Sequence, residues 1–397
     1  MHTPPRTSLS MGLFLLAVMM LAVNLRAPLA ALGPVVGFVR VDLNLSGAFM
    51  GMVAALPMLV FALVSPLAAR FARQFGIEAV LIGAMLVLAV GVFVRVVYPA
   101  AAWLAIGTVI LSAAIAMGNV LLPALAKQQL PSRIGLVVGA LSATMSLSSA
   151  VAALIAVPLA QWHGWQWSLG IWGITALAAA LIWLWQPRQH SANAAPQMAE
   201  SVRPFQVWRM PAAWCISAFM GVQSLLFYSI VNFLPSVLVE KGMTAWSAGA
   251  YVSLFQVSSL AGVLIVSMYF AHHAHRQLFN LAIASFMLVG VLGIWLAPIE
   301  TIWLWVSCVG MGAAGSFSAS LMLFALRTQN SMQAATLSGM AQGVGYTIAI
   351  AGPLGMGMIY DAFGSWSVSM GILAGLMLIE CVLAWFAAKP TILSQSP

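Results

Sequence analysis

Residues 101–129 read AAWLAIGTVILSAAIAMGNVLLPALAKQQ. From Ala101 to Ala126 the run carries no charge, and its one amide side chain is Asn119. A helix rises 1.5 Å per residue, so roughly 20 such residues cross the apolar core of a bilayer. The stretch therefore predicts a membrane span that ends at Lys127. Two hundred residues on, the chain repeats itself: Trp103-Leu104 returns as Trp303-Leu304, and Lys127-Gln128-Gln129 as Arg327-Thr328-Gln329.

The repeat extends outward from there. Gly139 pairs with Gly339, and Gly164-Trp165-Gln166-Trp167 with Gly364-Ser365-Trp366-Ser367. At an offset of 201, Pro34 and then Ser46 pair with Pro235 and then Ser247. The matches run in order along each half. Apolar runs fall at 11–38, 46–69, 77–97, 101–126, 134–160, 167–186, 211–239, 246–270, 277–297, 302–326, 333–359 and 366–387, twelve in all. A shift of six spans joins helices of the same direction, so the repeat axis lies along the membrane normal. That is the plan of a two-bundle secondary transporter. The expected fold is an all-α membrane protein of twelve transmembrane helices in two pseudo-symmetric six-helix bundles. Its parts are 1–186, a polar cytoplasmic linker at 187–210, and 211–397.

Composition agrees. Of 397 residues, 63% are hydrophobic and 6% charged, against about 25% charged in a soluble chain. Such a chain cannot make a wettable surface, which excludes a soluble enzyme, a nucleic-acid-binding domain and a disordered chain. The net charge of +8 comes from cations at the span ends. With the N-terminus inside, eleven Lys and Arg residues, Lys127 and Arg327 among them, fall on the inner side; Arg40, Arg95 and Lys241 fall on the outer side. The positive-inside rule then sets both termini in the cytoplasm, in a bacterial inner membrane. Tryptophans, including Trp103, Trp165, Trp303 and Trp366, collect at the expected outer edge as an interfacial belt. The N-terminal run is too long for a signal-peptide core and is expected to be a retained span.

Several segments resemble a known family. LRAPLAALGP (25–34), GNVLLPALAKQQLPSR (118–133) and SGMAQGVGYTIAIAGP (338–353) closely resemble the cyanate/nitroimidazole permease branch (CynX/NimT) of the major facilitator superfamily. In that branch the second segment reads GNVLLPxLxKRxFP, with Arg and Phe where this chain has Gln128 and Leu130. SPLAARFARQFG (65–76) resembles the superfamily's loop signature but has Pro66 for its first Gly and Ala69 for its Asp. The resemblance implies cyanate-like anions or nitroimidazole-like heterocycles as substrates.

Arg26 is the outlier among the polar residues, some 15 residues into the first span. A central Arg costs about 2.5–3.5 kcal/mol on insertion scales and cannot snorkel to water from that depth. Either it is satisfied by carbonyls freed near Pro28 and Pro34, or it faces an aqueous cavity and attracts an anion. Its planar fork suits carboxylate-like groups. Asn119, Pro123 and Lys127 share one helix face, with Lys127 an orientation anchor. Ser224, Tyr228 and Asn232 form a second stripe with Gln223 beside it, and Ser338, Gln342 and Tyr346 a third. Gln256 is the lone large amide of its span. Each such group must meet protein or water rather than lipid. The expected substrate-binding set is Asn24, Arg26, Asn119, Gln223, Tyr228, Asn232, Gln256, Gln342 and Tyr346. Inter-helix hydrogen bonding is the plainer alternative for each. The span-five serines and threonine (142–149) are read as small-residue packing.

Glu380 alone among the acids lies within a span, so no proton relay is evident. The three cysteines have no metal-ligand spacing, and the His272-His273-Ala274-His275 cluster is read as a solvated loop. No cofactor, metal or nucleic-acid partner is expected. The sequence predicts a monomeric secondary transporter whose partners are a small-molecule substrate and the lipid bilayer. A hydrophobic-drug efflux pump of the same fold is the alternative, although it would want a buried acid. A polytopic membrane enzyme is a weaker one, since no HExxH, GxSxG or phosphate loop occurs.

Overall fold

The computed structural model describes residues 8–185, 206–270 and 275–393. Most of the 187–210 linker, and His272 and His273, lie outside the described residues. Thirteen α-helices are found among the described residues. The first seven are α1 (Ser8–Ala30), α2 (Leu32–Asp42), α3 (Gly47–Phe75), α4 (Ile77–Val97), α5 (Ala101–Gln129), α6 (Ile134–His163) and α7 (Trp165–Trp185). The rest are α8 (Pro211–Glu240), α9 (Ala245–Tyr269), α10 (Arg276–Leu296), α11 (Ile302–Leu326), α12 (Ser331–Phe363) and α13 (Trp366–Ala387). Eleven are long and apolar enough to cross a membrane, and α1 with α2, bent by 43°, makes a twelfth. There is no strand among the described residues. The helices outrun several apolar runs: α3 continues past Arg70 and Arg73 to Phe75, because a charge ends hydropathy without ending a helix.

Local chemistry sets the helix starts. Ser46 Oγ accepts from Phe49 N, and Thr244 Oγ1 from Ser247 N, so each caps a helix. These two caps are 198 residues apart. The matching role therefore falls to Thr244, three residues before the Ser247 that residue identity pairs with Ser46. The first and last helices of each half are tied in one way. Asp42 Oδ2 accepts from Trp165 Nε1 at 2.7 Å. Glu240 accepts from Ser365 Oγ at 2.8 Å and from Trp366 N. Trp165 and Trp366 are consequently buried in these ties and do not join the exposed belt.

The chain breaks its first span at Ala31, between Pro28 and Pro34. Arg95, assigned to an outer loop by charge counting, is instead inside α4 and 1% exposed. Its Nη1 donates to Pro28 O at 3.0 Å. The arginine that satisfies a carbonyl at the bend is thus Arg95. Gly107 on α5 lets the two backbones touch here: a Cβ at that position would collide with the Arg95 main chain.

Within the first half α4 lies along α5 and α7, and α1 along α6; within the second α11 lies along α9 and α10. Across the halves α3 meets α12 and α6 meets α9. The closest approaches gather at one end. Gly339 and Gly343 press on Ser65 O and Pro66, and Gly139 on Ser267. Lys127, read as an orientation anchor at the inner end of its span, reaches across to the backbone oxygens of Ala325 and Thr328. Along α12 residues 337–343 are buried, whereas most of 350–363 is half-buried or exposed. The bundles are closed at the end bearing Arg70, Arg73 and Arg133, and splayed at the other.

Replacing Gly107 with Ala should lower the melting temperature of the detergent-purified protein, since overpacking costs about 1–3 kcal/mol. Gly83→Ala, where nothing lies within 4 Å, should leave it unchanged or raise it, because Ala is the better helix former.

Candidate functional site

Arg26 projects from α1 toward the second half. Its Cζ lies 5.1 Å from the ring centre of Phe317 on α11 and 5.8 Å from that of Phe227 on α8. Both are within the range of a cation–π contact, in which the ring quadrupole attracts the guanidinium. No hydrogen bond or ion pair holds Arg26 among the described residues, and it is only half-buried. A desolvated Arg normally spends its N–H groups on carboxylates or carbonyls. Here they remain available.

Two tyrosines flank it. Tyr346 on α12 is 2% exposed and packs on Phe61 of α3 with ring centres 4.9 Å apart. It lies within electrostatic reach of both Arg26 and Tyr228. Tyr228 sits edge-on to Phe227 at 5.3 Å. Arg26, Phe227, Tyr228, Phe317 and Tyr346 thus form one group drawn from α1, α8, α11 and α12.

Beneath it the halves share a hydrogen bond. Pro123 has no N–H, so Asn119 O, four residues earlier, lacks its helical donor. Gln342 Nε2 from α12 fills the vacancy at 3.1 Å and also reaches Ser338 Oγ at 2.9 Å. Asn119 and Gln342 are therefore joined at the seam. Gln342 Oε1 has no partner.

The other expected residues lie elsewhere. Asn24 is fully buried and turned toward α7. Its Nδ2 donates to Met20 O and Thr175 O, and its Oδ1 accepts from Thr175 Oγ1 at 2.8 Å. Gln223 ties α8 to α11 by donating to Ala313 O at 3.1 Å, and accepts from Ser224 Oγ. Asn232 is exposed and Gln256 half-buried, with no hydrogen bond to either among the described residues. Phe61, Phe227 and Phe317 were not expected, because a phenylalanine in an apolar run gives no signal. Among the described residues no cluster of His, Cys, Asp or Glu could hold a metal. Glu380, on α13, is fully buried and stands apart from this group.

The sequence pattern of the Major Facilitator Superfamily matches residues 9–351. The chain belongs to that superfamily. It is 36% identical to the 2-nitroimidazole transporter of Escherichia coli (strain K12) over 94% of both chains. It is 27% identical to the cyanate transport protein CynX of the same organism, over 92% of this chain and 95% of that one. These likenesses are consistent with the cyanate/nitroimidazole branch. Among solved structures, the proton:xylose symporter XylE aligns with a TM-score of 0.79 over 96% of both chains at 12% identity, a likeness of fold.

Asn24→Leu should separate the tie from the site. It removes the bonds of Asn24 to Thr175 O and Thr175 Oγ1, the hydroxyl keeping Trp172 O at 2.9 Å, so it should lower the melting temperature by the loss of about 0.5–1.5 kcal/mol per bond. Ligand affinity in the surviving folded protein, read by calorimetry, should stay within about twofold, or less than 0.5 kcal/mol.

Proposed function

We propose that the protein carries a small anionic or electron-rich polar solute across the bacterial inner membrane by alternating access, with both termini cytoplasmic. Cyanate-like anions and nitroimidazole-like heterocycles are the substrates favoured. The observation that carries this reading is Arg26, a permanent cation between two rings with no carboxylate or carbonyl on its donors. A guanidinium offers paired, coplanar N–H groups to a planar acceptor such as a nitro or carboxylate group. Phe227 and Phe317 offer faces on which a flat ring stacks, worth about 0.5–1.5 kcal/mol for an aromatic pair. Tyr228 and Tyr346 add hydroxyls that can donate or accept.

The relatives named for 2-nitroimidazole and cyanate transport support this chemistry, since both solutes are small and electron-rich. The efflux-pump alternative wants a carboxylate for organic cations, and none meets Arg26 among the described residues. The superfamily's fold supports alternation: one end is closed by α3 on α12 and α6 on α9, and rocking the halves would exchange it for the other. The scarcity of acids near Arg26 favours uniport, exchange, or a proton that travels on the substrate.

Calorimetry of the purified protein with cyanate and with 2-nitroimidazole tests the anchor. Arg26→Gln should fold, since the costly cation is gone. It should lose binding by roughly tenfold to a hundredfold, the scale of a charge-assisted hydrogen bond. Arg26→Lys should be impaired too, because a point charge cannot reproduce a fork. Full affinity in a well-folded Gln variant would refute the assignment.

A further inference from the structure

Lys127 carries hydrogen bonds from one half of the molecule to the other. It ends α5 in the first half. Its Nζ donates to Ala325 O and Thr328 O, and to Thr328 Oγ1 at 3.2 Å, all in the second half. These acceptors form the C-terminal end of α11. The last carbonyls of a helix have no intrahelical donors and carry the negative end of its dipole. A cation is the group that such an end binds best.

Its repeat partner behaves differently. Arg327 occupies the matching position, is 4% exposed, and donates to Ala387 O and Lys389 O at the end of α13. Both cations cap the C-terminus of a helix. Arg327 does so inside its own half, where the bond is kept whatever the halves do relative to each other. Lys127 does so across the seam, where the bond exists only while this end is closed. The acid nearest in sequence to this end of α3, Glu78, accepts from Gln129 within the first half, and the last turns of α3 carry Ala69 and no carboxylate.

We propose that Lys127 is the latch of this gate: its ammonium, capping the end of α11, holds the closed arrangement and weights the equilibrium toward the state open at the opposite end. Opening this end must break three hydrogen bonds to one cation and leave the α11 carbonyls to water. The Gln342–Asn119 bond lies deeper, between α5 and α12, so α5 meets the second half on both sides of Pro123. The latch adds to the site around Arg26 without touching it, and rests on the alternating-access reading.

Distances between spin labels test it without any ligand. Ser132 and Gln329 are exposed on opposite sides of the closed end. Both are changed to cysteine for labelling, in a background with Cys215, Cys308 and Cys381 replaced by alanine. Wild type should show mainly the short distance. Lys127→Met should raise the ratio of long to short distances about tenfold, the effect of losing a hydrogen bond to a charged group. Lys127→Arg, which keeps the charge and its donors, should restore the wild-type ratio. Lys127→Gln is the second uncharged variant should the Met variant fold poorly, with the same direction expected. A wild-type ratio in a folded, uncharged variant overturns the latch. If wild type then still moves between two distances on adding 2-nitroimidazole, alternating access survives that failure; one fixed distance in every sample overturns both.

Discussion

A permanent charge in the middle of an apolar helix, with no opposite charge to meet it, is the constraint around which the molecule is arranged. By insertion scales Arg26 costs about 2.5–3.5 kcal/mol. Two ring contacts at 5.1 and 5.8 Å, each worth about 0.5–2 kcal/mol, return a comparable amount. They do so through the quadrupole, without occupying the N–H donors. The cation is therefore tolerated electrostatically while its hydrogen-bonding capacity stays unspent. Its half-buried position on the side where the bundles splay lets water, or a solute, reach those donors.

The second demand comes from interruptions of the helical ladder. In hydrocarbon each backbone carbonyl deprived of a donor must find another. At the bend around Ala31 the donor to Pro28 O is Arg95, buried on α4 in the same half. For the carbonyl freed by Pro123 the donor is Gln342, from the opposite half. The first bond is indifferent to any motion between the bundles. The second is part of the seam, so parting the halves exposes Asn119 O close to the Arg26 group. A helix break thus yields a fixed strut in one place, and a proline yields a contact across the seam in the other.

The spans and the two-bundle fold were legible, and Arg26 stood out, because hydropathy and periodicity follow directly from the cost of polar groups in lipid. What failed was placing Arg95 in a loop. Arg95 and Lys127 lie at the ends of apolar runs, and a sequence does not distinguish an end that faces water from one pressed against another helix. Asn24 is a different case. Residues two apart on a helix point to opposite faces, so Asn24 and Arg26 could not both have faced one site, and periodicity alone could have excluded it. Phe227 and Phe317 carried no signal, because a ring that solvates a cation and a ring that fills a core look alike in sequence. The pairing of Ser46 with Ser247 erred because identity was matched where capping geometry selects Thr244.

The repeat also separates what must stay fixed from what must change. The tie from Asp42 to Trp165 and the one from Glu240 to Trp366 do the same work, closing the first helix of each half on its last. Along the seam the halves diverge: the first supplies the cation, the second the rings. A carboxylate in place of Phe227 or Phe317 would form an ion pair with Arg26, and in a low dielectric such a pair is strong enough to exclude a competing anion. Rings lack that exclusivity. They stabilise the guanidinium and leave its donors unspent, as the proposed anchoring of a solute requires. They also belong to the half opposite Arg26, so any relative motion of the bundles alters the environment of the charge. A carrier needs its central cation to be stable in the empty state and available in the loaded one, and aromatic partners across the seam satisfy both requirements where an acid would satisfy only the first.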